Sequence, residues 1–185
     1  MPRAENMVVI AAPIAAVFAF IADGTNNPRW RPGVMDITPP ARGPCEGAVY
    51  GQGLRGPKGQ RMEGDYRITE YQPPKRLAFE VIAGPARPTG AFDLEEPVAG
   101  ATTVRFSLDL QGKGLMKIPM KFAGGVIERQ MQAEVASLSR LKSELEAGPD
   151  EAQQEAPHEE EDVLAAEAAM ENEGGRPAPS GAGPQ

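Results

Sequence analysis

The sequence predicts an α+β fold: a curved antiparallel sheet of about seven strands wrapped around a long C-terminal helix, with a short helix pair after strand one. Three observations predict it. A β-branched run, residues 7–11 (MVVIA), is followed at once by a proline-led stretch of helical periodicity. The apolar period then changes from near 3.6 to 2 and holds there from residue 34 to residue 110. From about Met120 the three-four rhythm returns and runs for about 25 residues.

Taken in order, residues 7–11 read as a strand, and Pro13 fits a first helical turn, where its missing N–H is no loss. From Ile14, the residues Val17, Phe18 and Ile21 make one buried face of a short helix, which Asp23 and Gly24 end. The segment 26–33 (NNPRWRPG) is dense in turn formers and holds the only tryptophan, Trp30. Residues 34–38 and 48–54 read as strands, and 55–59 (RGPKG) as a basic hairpin tip. Residues 61–71 alternate, with Met62, Tyr66 and Ile68 on one face and Glu63, Asp65, Arg67 and Thr69 on the other. Pro73 and Pro74 turn the chain into 77–83, where Leu77, Phe79 and Val81 share a side. Residues 89–95 gather Gly90, Phe92 and Leu94; residues 102–110 gather Val104, Phe106, Leu108 and Leu110. In the last helix the stripe runs through Val126 or Ile127, Met131, Val135, Leu138, Leu141 or Lys142, and Leu145, until Gly148 and Pro149 stop it.

Charge divides the chain in two. Residues 1–147 carry 18 Lys and Arg against 16 Asp and Glu, a net of +2; residues 148–185 carry 10 acids against Arg176 alone, a net of −9. The near-neutral first part lacks the one-sided basic cluster a nucleic-acid surface needs. The tail, without aromatics and with few large apolar residues, buries too little to offset ordering and is expected to be disordered. Cys45 is the only cysteine and His158, in the tail, the only histidine, so neither a disulfide nor a Cys/His metal site is expected. No signal peptide or membrane-length apolar run is read, which makes a cytoplasmic protein the default expectation.

The order of elements, together with IAAPIAAVFAFIADGTNNPRWRP at 10–32, resembles the START-like (SRPBCC) superfamily, in particular its polyketide cyclase/dehydrase-like bacterial members. The Pro13-led helix ending in Phe20-Ile21-Ala22-Asp23, followed by Asn26, Asn27, Pro28 and Trp30, carries the resemblance, with TEYQPPKRLAFEV at 69–81 and RLKSELEA at 140–147. It covers residues 5–147 and implies a helix-grip fold: a domain over 1–147 with a cavity between sheet and helix, and a separate tail over 148–185. Members bind lipids, sterols, polyketides, hormones or quinones, and a minority catalyse cyclisation or dehydration.

On that frame the expected ligand-binding residues are Trp30, Tyr66, Ile68, Phe79, Phe92, Phe106, Met120, Ile127 and Met131. The methionines favour an adaptable wall, since thioether chains fit variable shapes. Trp30 serves either as a plug at one end of the helix pair or at the cavity mouth. Tyr66 stands out as an ionisable hydroxyl on the inward face, better suited to orient a ligand carbonyl than to move protons. No catalytic residue is assigned, and no metal or cofactor. Lys113, Lys117 and Lys121 recur every four residues among apolar neighbours, which admits a movable gate touching an anionic membrane. The acidic tail admits a basic protein partner. The expectation is therefore non-catalytic binding or transport of a hydrophobic small molecule. The alternatives are an aromatase/cyclase-type enzyme, discriminated by convergent buried ionisable groups, and an interaction module acting through the tail around a filled core.

Overall fold

The computed structural model describes residues 3–56, 58–110 and 120–147, and the side chains of these apart from 120–127. The chain begins with β1 (Arg3–Ile10), whose alternation buries Ala4 and Ile10. Pro13 then caps α1 (Ile14–Ala22), which turns Val17, Phe18, Ile21 and Ala22 into the core. Asp23 ends α1 and accepts from the Thr25 backbone N–H at 3.0 Å, which starts a 3₁₀ turn over Gly24–Asn26. The short α2 (Asn27–Trp30) follows, with Pro28 in its first turn.

Seven further strands complete one sheet: β2 (Val34–Thr38), β3 (Val49–Arg55), β4 (Arg61–Glu63), β5 (Tyr66–Gln72), β6 (Arg76–Val81), β7 (Thr89–Val98) and β8 (Ala101–Asp109). All pairings are antiparallel, in the order β1-β8-β7-β6-β5-β3-β2, with β4 paired to β3. Inward residues alternate as period two requires: Leu77 and Phe79 on β6, Gly90, Phe92 and Leu94 on β7, Val104, Phe106 and Leu108 on β8. Gly90 is required where it stands, because a Cβ there would strike the Phe79 ring.

Two elements differ from the sequence reading. The single strand over 61–71 is two, because Gly64 and Asp65 interrupt it. The Gly64 N–H donates to the Gln52 carbonyl, the Asp65 carboxylate accepts the Gln52 N–H, and the Asp65 carbonyl accepts the Ile82 N–H. At this kink the chain passes from β4, paired to residues 53–55 of β3, into β5, which pairs with Val49 and Tyr50 of β3 on one side and with β6 on the other. The long helix is likewise two, α3 (Met120–Ala136) and α4 (Leu138–Glu146). At the junction the Ser137 hydroxyl bonds back to the Glu134 carbonyl, and the Arg140 N–H reaches the Ser137 carbonyl in a tighter turn.

The helices fasten onto β1. The Asn6 amide donates to the Val135 carbonyl, Lys142 Nζ donates to the Val9 carbonyl, and Glu146 accepts the Ala11 N–H. Val135, Leu138 and Leu141 complete a core shared with α1 and the sheet's concave side.

Candidate ligand-binding cavity

Between the concave face of the sheet, α2 and α3 lies a cavity of about 490 Å³. Its floor is apolar: Leu77 and Phe79 from β6, Phe92 from β7, and Leu108 and Leu110 at the end of β8. Ile21 contributes from α1 and Met131 from α3. The exposed Arg55, Glu63 and Pro85 stand at its rim, beside Leu54, Met62 and Ala86. The two rim segments lie side by side, since a Cβ on Gly84 would strike the Glu63 carbonyl.

The floor belongs to a continuous run of rings. Tyr50 stacks on Tyr66 with centroids 5.0 Å apart, Tyr66 meets Phe79 edge-on at 5.6 Å, and Phe79 leans on Phe92 at 6.2 Å. Phe92 stacks in turn on Phe106 at 4.3 Å and takes the edge of Trp30 at 6.1 Å. Tyr66, Phe79 and Phe92 face the void. Tyr50, Phe106 and Trp30 stand behind them, each 1 % exposed.

Polar groups collect at one end. Gln52 Nε2 donates to the Gly64 carbonyl at 3.3 Å, which fixes the orientation of the Gln52 amide. Its oxygen then accepts from Asn27 Nδ2 at 3.3 Å and from Arg31 Nη1 at 3.2 Å. Asn27 Nδ2 also donates to Tyr66 Oη at 3.4 Å. Arg31 Nε pairs with the Glu134 carboxylate on α3. Burial pushes the Tyr66 phenol well above its ordinary pKa, and the nearby Arg31 charge opposes this only in part. Tyr50 is raised as well, chiefly by burial. Among the described residues no group of His, Cys, Asp and Glu is placed to hold a metal ion.

Of the residues the sequence assigns to the wall, Tyr66, Phe79, Phe92 and Met131 line the cavity. Trp30, Ile68 and Phe106 are packed in the core outside that lining. Alternation fixes which face a residue takes but not where along the strand the void ends. Met120 and Ile127 lie outside the described side chains, as do Met116 and the Lys113, Lys117 and Lys121 stripe. The tail, 148–185, lies outside the described residues too. Asn27, Arg31, Gln52 and Glu134 were absent from the sequence assignment, whose one ionisable side chain is Tyr66.

The family model described as polyketide cyclase / dehydrase and lipid transport matches residues 1–146. The chain belongs to this family. No curated protein matches it. Among solved structures, a START superfamily protein from Mycobacterium smegmatis superposes with a TM-score of 0.62 at 13% identity, covering 78% of this chain and 97% of that one. A protein from Thermus thermophilus reaches 0.65 at 19% identity, covering 80% and 99%. The di-domain ARO/CYC BexL reaches 0.59 at 21% identity, covering 80% of this chain and 48% of its own. At these identities the likeness establishes the shared helix-grip fold. Among the described residues of this family member, no helix is long and apolar enough to cross a membrane.

Proposed function

We propose that this family member binds a hydrophobic small molecule, a lipid, polyketide or similar, between its sheet and C-terminal helices, as a non-catalytic carrier or sensor. One observation carries the reading: a cavity of about 490 Å³ whose floor is aromatic and aliphatic while its polar groups are confined to one end. Small-molecule sites typically enclose about 300–1,000 Å³ with this division of labour. Affinity comes from apolar burial, at about 25 cal/mol for each Å² removed from water. The family description supports the ligand class. The void itself weighs against an interaction module built on a filled core.

A second reading, an aromatase/cyclase-type enzyme, is favoured by the convergence of Arg31, Glu134 and Tyr66 on the same cavity. The binding reading is preferred for a chemical reason. The phenol, raised by burial, holds its proton at neutral pH and serves as a donor rather than a base. The carboxylate meanwhile is engaged by Arg31.

Native mass spectrometry of the full chain, purified from a lipid-rich host and then extracted under denaturing conditions, tests the proposal. A stoichiometric co-purifying hydrophobic mass is the expected result. An empty protein whose melting temperature no lipid or polyketide shifts would end the carrier reading.

A further inference from the structure

We propose that the ligand of this cavity is uncharged and bears an accepting oxygen, of the ketone or ester kind, which takes the Tyr66 hydroxyl proton; the inference rests on the binding function proposed above. It follows from the direction of the hydrogen bonds at the polar end. The Gly64 carbonyl can only accept, so it holds the Gln52 amide with nitrogen toward itself and oxygen toward Asn27 and Arg31. Asn27 must then present its N–H₂, and that same nitrogen donates to Tyr66 Oη. The phenol oxygen is thus an acceptor inside the network. Its own proton has no acceptor among the described residues, although Tyr66 lines the cavity and is 8 % exposed. A buried hydroxyl normally finds a partner, and the cavity is where one can be supplied.

Charge decides what kind of oxygen fits. Among the described residues Arg31 is the cation of this end of the cavity, and it is committed to Glu134 through Nε and to Gln52 through Nη1. The pair leaves the polar end neutral. A fatty-acid carboxylate would place a second anion beside Glu134 with one guanidinium between them, in a low-dielectric pocket where an unpaired charge is costly. A ketone or ester carbonyl needs only donors, and Tyr66 Oη–H with the remaining Arg31 N–H groups supplies them. Burial, which keeps the phenol protonated, acts in the same direction.

The experiment compares a series of alkyl methyl ketones with the fatty acids bearing the same alkyl chains, titrated into the full chain by calorimetry at neutral pH. The expected result is a preference for the ketone of about tenfold or more at the best-fitting chain length. Tyr66→Phe should weaken ketone binding by about threefold to tenfold. Glu134→Gln should strengthen the fatty acid and narrow the preference. Equal or tighter binding of the fatty acids to the wild type overturns the neutral-ligand inference and leaves the carrier function standing. Binding of neither series overturns both. The wild-type ratio alone decides the first point, so the outcome does not depend on either variant folding.

Discussion

Arg31, in the turn after α2, pairs through Nε with the carboxylate of Glu134 on α3, 103 residues later in the chain. Their side chains are 12% and 16% exposed, so the pair joins the two helical walls at a largely desolvated place. Removing one partner leaves the other charge buried without compensation, which is the costly case; replacing both removes the charge altogether. Arg31→Met and Glu134→Met should therefore each destabilise the domain by about 2–3 kcal/mol in chemical denaturation, and the double variant by less than either alone. Additive losses would show that the two side chains are not coupled.

Gly24 bears on the site without lining it. A Cβ at this position would collide with Tyr66 Oη and with the Tyr50 ring. The tight 3₁₀ turn therefore acts as a stop against which both phenols rest. Gly24→Ala should cost about 1–3 kcal/mol by overpacking and shift Tyr66 from its hydrogen bond with Asn27. Gly33→Ala is the matched control: a Cβ there meets nothing within 4 Å, and its φ lies outside the left-handed range. Thermal melts should show a clear loss for the first and little change, or a slight gain, for the second.

Much of the fold is legible in the sequence because each inward strand face repeats with period two and each helix carries one stripe. The Phe79, Phe92 and Tyr66 positions follow from that alternation alone. The polar end does not, for a local reason. β3 reads Val49-Tyr50-Gly51-Gln52-Gly53-Leu54, and its two glycines remove the apolar alternation that would phase it. Tyr50 and Gln52 both face inward, so a correct phase for one would have supplied the other. Glu134 stands three residues after Met131 and one before Val135, within the apolar stripe of α3, and an acid in such a stripe is a readable signal. Asn27 and Arg31 lie in a segment whose turn chemistry conceals which side chains point inward. Their convergence with Gln52 and Glu134 is a product of tertiary packing.

The junction of β1 and α4 makes acid stability depend on Glu146. Its carboxylate accepts from Lys142 Nζ and from the Ala11 N–H, each at 2.7 Å, and these contacts hold its pKa below the ordinary carboxylate value of 4.5. A carboxyl group depressed in the folded state adds stability that is complete above the unfolded value. That stability is lost as pH falls through the lower folded value. The wild type should therefore lose stability below about pH 4.5 more steeply than Glu146→Gln, which has no such proton to take up. Denaturant midpoints followed from neutral to acid pH would show the two curves converging at the acid end. Parallel curves would remove Glu146 from the acid transition.

Trp30 provides an intrinsic reporter for occupancy, because it is the only tryptophan and meets the wall residue Phe92 edge-on at 6.1 Å while lying outside the cavity lining. At 1 % exposure its indole is shielded from solvent, and its Nε1 has no hydrogen-bond partner among the described residues. The free protein should thus emit at short wavelength and resist quenching by aqueous iodide. Phe92 both lines the void and contacts Trp30, so an aromatic ketone bound there should quench the emission saturably, with the same midpoint as its binding by dialysis. Phe92→Leu should weaken that coupling, since it removes the ring between ligand and indole. Saturable binding by dialysis with unchanged Trp30 emission would place the ligand elsewhere on the protein and detach the function from this cavity.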